Sequence, residues 1–89
     1  MKMKFQLLTY VLWGNPKDGY EVNDVYPHGE IEVNVRKIPY RKDFSFYPSD
    51  RQLNQAIGAR GLTWDGDPEY TLYANDKNGN PACELRRLS

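Results

Sequence analysis

The stretch that decides the fold, residues 4–13, reads Lys4-Phe5-Gln6-Leu7-Leu8-Thr9-Tyr10-Val11-Leu12-Trp13. Most residues on both faces of this stretch are apolar when it is extended, which is typical of a central strand. Turn-forming residues then fill positions 14–19, Gly-Asn-Pro-Lys-Asp-Gly, and an extended pattern resumes over residues 20–26. Residues 5–26 are therefore predicted to form a hairpin with a long loop.

A third strand is predicted over residues 30–36, where Ile31, Val33 and Val35 alternate with polar side chains. Such alternation is typical of an antiparallel strand with one solvated face. The preceding Pro27-His28-Gly29 predicts a turn, and residues 38–47, which have no stable period, predict an irregular loop.

A helix is predicted to begin at Ser49, because Gln52 three residues later completes a capping-box pattern and Asp50 suits the first turn. Its apolar stripe is Leu53, Ala56 and Ile57, and Gly61 is the expected C-cap. A helix this short requires a sheet to pack against.

After the helix, residues 64–68 predict a turn, and residues 70–74 and 81–88 predict two strands joined at Asn78-Gly79. The predicted order is β-β-β-α-β-β. This is a single small α+β domain over residues 1–89, with an antiparallel sheet of about five strands and one helix packed on one face.

The charges balance in number but are segregated along the chain. Twelve basic and twelve acidic residues give no net charge, which argues against indiscriminate binding to nucleic acid or anionic membranes. Residues 18–32 contain five acids and no Lys or Arg, whereas a basic cluster follows: Arg36, Lys37, Arg41 and Lys42. Such clusters form solvated faces or surfaces complementary to a partner.

The compartment is predicted from the cysteine count and the start of the chain. Cys83 is the single cysteine, so an intrachain disulfide is excluded. The apolar run near the start is short and lacks the features of a secretory signal or a membrane span. We expect a cytoplasmic protein without membrane association.

Catalytic and metal-binding patterns are weak. The single histidine, His28, lies in a predicted turn, and no motif links it to Cys83 as a base and nucleophile. Asp65-Gly66-Asp67 resembles a fragment of a calcium loop without the remaining ligands. We expect no enzymatic activity, no metal and no cofactor.

Residues 7–26 contain Trp13-Gly14-Asn15, Lys17-Asp18-Gly19 and Tyr20-Glu21-Val22-Asn23-Asp24 in succession. This order resembles the opening of a group of small uncharacterised phage and prophage proteins. Ser49-Asp50-Arg51 and Cys83-Glu84-Leu85-Arg86 are also similar, and the likeness covers about half of the chain but not residues 27–48. The resemblance implies a phage or mobile-element setting and no particular chemistry.

In that setting the favoured hypothesis is a protein-interaction module that binds and modulates a host or phage macromolecule. Its predicted site surrounds the first hairpin, where large aromatics border an unusually long loop. The candidate residues are Trp13, Asn15, Tyr20, Asn23, Asp24 and Arg51. The competing interpretation is structural, with Trp13 in the core and the Asn and Asp side chains bonded to local backbone.

The alternative function is a nucleic-acid-binding accessory protein. Tyrosines on a small sheet can stack on single-stranded bases. The cations that could meet phosphates are Arg36, Lys37, Arg41, Lys42, Arg86 and Arg87. A homodimer is also expected, because residues 70–74 carry no charge and such a strand pairs readily when it forms a sheet edge.

Overall fold

The computed structural model describes residues 2–34 and 48–88. Five strands form one sheet: β1 (Lys2–Asn15), β2 (Gly19–Asn34), β3 (Thr63–Asp67), β4 (Thr71–Asn75) and β5 (Pro81–Arg87). The helix α1 (Asp50–Ile57) lies between β2 and β3 in the chain. All neighbouring strands are antiparallel, in the spatial order β2-β1-β5-β4-β3. The predicted five-stranded antiparallel sheet with one helix is confirmed.

The predicted order of elements was wrong in its first half, because residues 27–29 do not turn the chain. Gln6 pairs with Glu30 and Leu8 pairs with Pro27, so His28 and Gly29 together face the single residue Leu7. This is a β-bulge, and its glycine has a φ of 91°, which a residue with a side chain rarely adopts. The predicted second and third strands are therefore one continuous strand, β2.

The predicted turn over residues 64–68 was also wrong, because most of it is strand β3. Trp64 pairs with Ala74 and is buried, and Gly66 pairs with Leu72. Gly66 has a φ of 105°, and a Cβ atom there would lie 2.4 Å from the carbonyl oxygen of Thr71. The chain turns instead around Pro68 and Tyr70, and the observed order is β-β-α-β-β-β.

The helix begins as predicted but ends three residues early. The Ser49 hydroxyl accepts a hydrogen bond from the Gln52 amide nitrogen at 3.2 Å, and the Gln52 side-chain oxygen accepts one from Ser49 N at 3.0 Å. Gly58, not Gly61, is the C-cap, with a left-handed φ of 71°. The apolar stripe is less buried than predicted: Leu53 is buried and Ile57 is partly buried, but Ala56 is exposed.

The core lies between α1 and one face of the sheet. Leu53 is fully buried within a cluster of residues from the helix and all five strands: Met3, Phe5, Val33, Trp64, Leu72, Ala74, Cys83 and Leu85. Asn54 holds the helix to β3, since its side-chain oxygen accepts a hydrogen bond from Trp64 Nε1 at 2.8 Å and its amide donates to the Leu62 carbonyl at 3.0 Å. The helix therefore closes one face of the sheet.

The reasoning that favoured a homodimer depended on a strand that is not an edge. β4, which contains most of the uncharged stretch 70–74, lies between β5 and β3. The sheet edges are β2 and β3, and each carries acidic side chains, for instance Glu21 and Asp65. Like charges oppose pairing between such edges.

We expect Leu53→Ala to lower the free energy of unfolding by about 2–4 kcal/mol, because it removes a fully buried side chain between helix and sheet. Chemical denaturation monitored by circular dichroism measures the loss. Gln55→Ala, at an exposed position of the same helix, is the control and should shift the midpoint little. Equal midpoints for wild type and Leu53→Ala would contradict the placement of the helix.

Candidate functional site: a two-stranded ribbon

The first hairpin extends well beyond the rest of the sheet. β5 pairs with β1 only from Phe5 to Thr9, and from residue 10 onward β1 pairs with β2 alone. Residues 10–25 thus form a two-stranded ribbon with its connecting loop, hereafter the ribbon. Six strand residues span about 20 Å at roughly 3.3 Å per residue, and the molecule is correspondingly elongated, 44 × 25 × 21 Å.

The ribbon exposes large apolar side chains. Trp13 is 72% exposed, and Val11, which lies on the same side of β1, is 43% exposed. Their cross-strand partners are acidic, since Val11 pairs with Asp24 and Trp13 with Glu21. Tyr26, at the base of the ribbon opposite Thr9, is 51% exposed. Trp13 is therefore a surface residue, and it belongs to an apolar row bordered by carboxylates.

Asn15 organises the loop at the tip of the ribbon. Its side-chain oxygen accepts hydrogen bonds from the backbone nitrogens of Lys17, at 3.0 Å, and Asp18, at 2.8 Å. Its amide nitrogen also donates to the Asp18 carboxylate at 3.2 Å. These local bonds are those of an Asx turn, so the Asn15 side chain supports the loop.

Tyr20 faces the tip from the start of β2, where it pairs with Gly14 and is partly buried. The strands approach closely here, because a Cβ atom on Gly14 would lie 2.2 Å from the carbonyl oxygen of Gly19.

Asn23 and Asp24 form a second bulge of β2. Val11 pairs with Asp24 and Leu12 with Val22, so Asn23 is an extra residue in the ladder. The Asp24 carboxylate accepts a hydrogen bond from Val25 N at 2.8 Å. A hydrogen bond between the Tyr26 phenol and Asp24 raises the pKa of Tyr26. Asp24 is thus exposed but bonded within its own strand.

The structure does not bring Arg51 to the ribbon. The neighbouring Gln52 side chain donates a hydrogen bond to the Asn34 carbonyl at 3.0 Å, which places the helix start at the end of β2 farthest from the loop. Arg51 is exposed and lines a shallow groove with residues 54–61. The other basic candidates, Arg36, Lys37, Arg41 and Lys42, lie outside the described residues.

The sheet face opposite the helix holds a carboxylate between aromatics. Glu84 is 6% exposed, and its two carboxylate oxygens accept hydrogen bonds from Arg86 Nε and Nη2 at 3.2 and 3.3 Å. Burial and the nearby Glu84 carboxylate raise the pKa of Tyr10 to about 12, with a smaller contribution from Tyr73. A buried carboxylate requires such a partner, and the bidentate arginine provides it.

This face is a poor match for the nucleic-acid alternative. Tyr10 and Tyr73 are close to each other there, but the nearest cation, Arg86, is paired with Glu84. Arg87 lies on the other face, with its guanidinium 5.8 Å from the centre of the Phe5 ring. The adjacent edge strand β3 adds Asp65 and Asp67. The described part of the sheet therefore offers phosphates few available cations.

The residues considered for catalysis and metal binding lie apart from the ribbon. His28 is exposed in the first bulge of β2, and Cys83 is buried in the core, where burial raises its pKa to about 11. Over residues 2–34 and 48–88, no three metal-ligating side chains gather closely enough to hold an ion. Within the same residues, no helix has the length and apolar character needed to cross a membrane.

Sequence reasoning missed three exposed apolar residues of this region, namely Val11, Val22 and Tyr26. The sequence predicted correctly which residues of β1 share a face. It did not predict the position along β1 beyond which that face is no longer buried. The sequence signal for this exposure was the length of the last strand, because a seven-residue strand can pair with only part of a fourteen-residue neighbour.

Comparison with known proteins finds no matching family model, curated protein or solved structure.

We expect Trp13→Ala to change the free energy of unfolding by less than about 0.5 kcal/mol, because the side chain is mostly exposed. Phe5→Ala, eight residues earlier on the same side of β1, should cost about 3–5 kcal/mol, because Phe5 is fully buried. Thermal or chemical denaturation of both variants measures the contrast. A loss of several kcal/mol on replacing Trp13 would show that it packs against the domain.

We also expect the folded protein to lose stability as the pH rises from about 10 to about 12. The pKa of Tyr10 is raised in the folded state, so the unfolded chain releases this proton first and is favoured in that window. Tyr10→Phe should reduce the loss, measured as the change in denaturation midpoint. It should also remove the latest phase of tyrosinate absorbance in an alkaline titration. An unchanged titration curve would contradict the burial of the phenol.

Proposed function

We propose that this protein is a protein-interaction module and that the ribbon is its binding surface. The observation that carries the proposal is the exposure of Trp13, at 72%, beside Val11 on a hairpin that no third strand of the described residues joins. Tryptophan is enriched among the residues that dominate protein interfaces. Exposed apolar side chains rimmed by polar groups are the usual mark of such a surface.

The ribbon suits this role mechanically and energetically. Asn15 fixes the loop through hydrogen bonds to two backbone nitrogens, so the tip is ordered before binding. An ordered surface loses less conformational entropy on association. Truncating a tryptophan that becomes buried in an interface commonly costs about 2–4 kcal/mol of binding energy. The Trp13 side chain can therefore contribute much of the binding free energy, while it contributes little to the stability of the folded domain.

The biological setting remains a prediction from the sequence. The resemblance of residues 7–26 supports a phage or mobile-element protein in the cytoplasm that modulates a host or phage macromolecule. Binding, rather than catalysis, is the activity proposed. The nucleic-acid alternative depends on Arg36, Lys37, Arg41 and Lys42 in the basic cluster, and nothing described on the sheet favours it.

The test is capture of a partner from bacterial lysate with immobilised wild type and variants, before and after nuclease treatment. Trp13→Ala should lose the captured protein. Tyr70→Ala is the matched control, because Tyr70 is 71% exposed but lies in the turn between β3 and β4. It should retain the captured protein.

Equal capture by wild type and Trp13→Ala would refute the ribbon as the binding surface. Capture that disappears after nuclease treatment would favour the nucleic-acid alternative instead. Both variants must show the wild-type melting temperature, which separates loss of binding from loss of folding.

A further inference from the structure

The outer side of β2 is an open sheet edge of unusual length. β2 has sixteen residues and stands at one end of the strand order, so within the described residues it pairs only with β1. An edge strand presents backbone N–H and C=O groups that another extended segment can bond. Strand addition of this kind is a common mode of peptide recognition.

The charge of this edge has one sign. Residues 19–34 contain Glu21, Asp24, Glu30 and Glu32 and neither Lys nor Arg. Within the part of the chain that the structure describes, Glu32 alone of these four has an ion-pair partner, Lys2 at 3.4 Å, and both side chains are largely exposed. Exposed pairs of this type contribute little, so the edge retains a negative field.

A second copy of the chain does not fit this edge. Two paired β2 strands would together carry eight acidic side chains and neither Lys nor Arg, and the other edge, β3, carries Asp65 and Asp67. Like charges directly opposite one another destabilise strand pairing. The occupant must therefore bring the opposite charge.

We propose that the partner of the ribbon is a protein that adds a basic, extended segment to the open edge of β2, with Lys or Arg side chains beside Glu21 on the face of Trp13 and beside Glu30 on the opposite face, that of Gln6. This inference rests on the proposed function and names the chemistry of its partner. Glu21 is the cross-strand neighbour of Trp13, so the added segment would lie next to the apolar row of the ribbon. Main-chain bonds would give affinity, and the acidic side chains would select the partner by charge.

The test uses three labelled ten-residue peptides, each acetylated and amidated: Lys-Lys and Val-Val pairs in alternation, the same peptide methylated on every backbone nitrogen, and Glu-Glu and Val-Val pairs in alternation. Fluorescence anisotropy measures their affinity for the whole protein. The plain Lys–Val peptide should bind at least about tenfold more tightly than either of the others. Methylation keeps the charge but blocks strand pairing, so equal binding of the two basic peptides would overturn the proposal.

Two charge-reversed proteins complete the experiment. Glu21→Lys with Glu30→Lys should weaken binding of the Lys–Val peptide by about tenfold or more. Asp65→Lys with Glu69→Lys makes the same charge change at and beside the opposite edge, β3, and should have little effect. An equal loss in both proteins would show attraction by net charge alone and would also overturn the proposal.

The outcome is separable from that of the proposed function. If no basic peptide binds while capture from lysate still depends on Trp13, the inference about the edge fails and the interaction module stands. A wild-type dimer in analytical ultracentrifugation that the Glu21→Lys, Glu30→Lys exchange dissociates would also overturn the inference, because a second copy would then occupy the edge.

Discussion

The unequal length of the paired strands is the constraint on which this structure depends. β1 has fourteen residues, whereas β5, which pairs with it on the side away from β2, has seven. The helix and β5 can cover only the first part of β1, where Met3 and Phe5 are buried. The same alternation continues to Val11 and Trp13, which no other part of residues 2–34 and 48–88 covers. One uninterrupted strand thus provides both the core and the exposed ribbon.

The sequence predicted features whose chemistry is local. The capping box of Ser49 and Gln52 was read correctly because both hydrogen bonds lie within four residues of chain. The bulge at His28-Gly29 was misread as a turn, since a glycine with positive φ is common in both structures. Only the pairing of β1 with both halves of β2 distinguishes them, and that pairing is not local.

The candidate site was predicted in part for the same reason. Trp13 was identified from its place beside a long loop, but its exposure depends on where β5 ends. Arg51 was expected to approach the hairpin from the helix start, whereas the bond from Gln52 to Asn34 places that start at the other end of β2. Tyr26 was missed because its partner Thr9 is polar and gave no apolar pattern to follow.

The acidic side chains give a physical reason why so long an edge can remain open. An exposed strand of sixteen residues would ordinarily pair with its own copies. Bulges at Asn23 and at His28-Gly29 interrupt the ladder, and the glutamates repel any strand of like charge. This repulsion acts only between charges of the same sign. It therefore opposes the pairing of β2 with a second β2 but not with a basic segment. The acidic side chains that oppose pairing of β2 with a second β2 therefore also favour a partner segment of opposite charge.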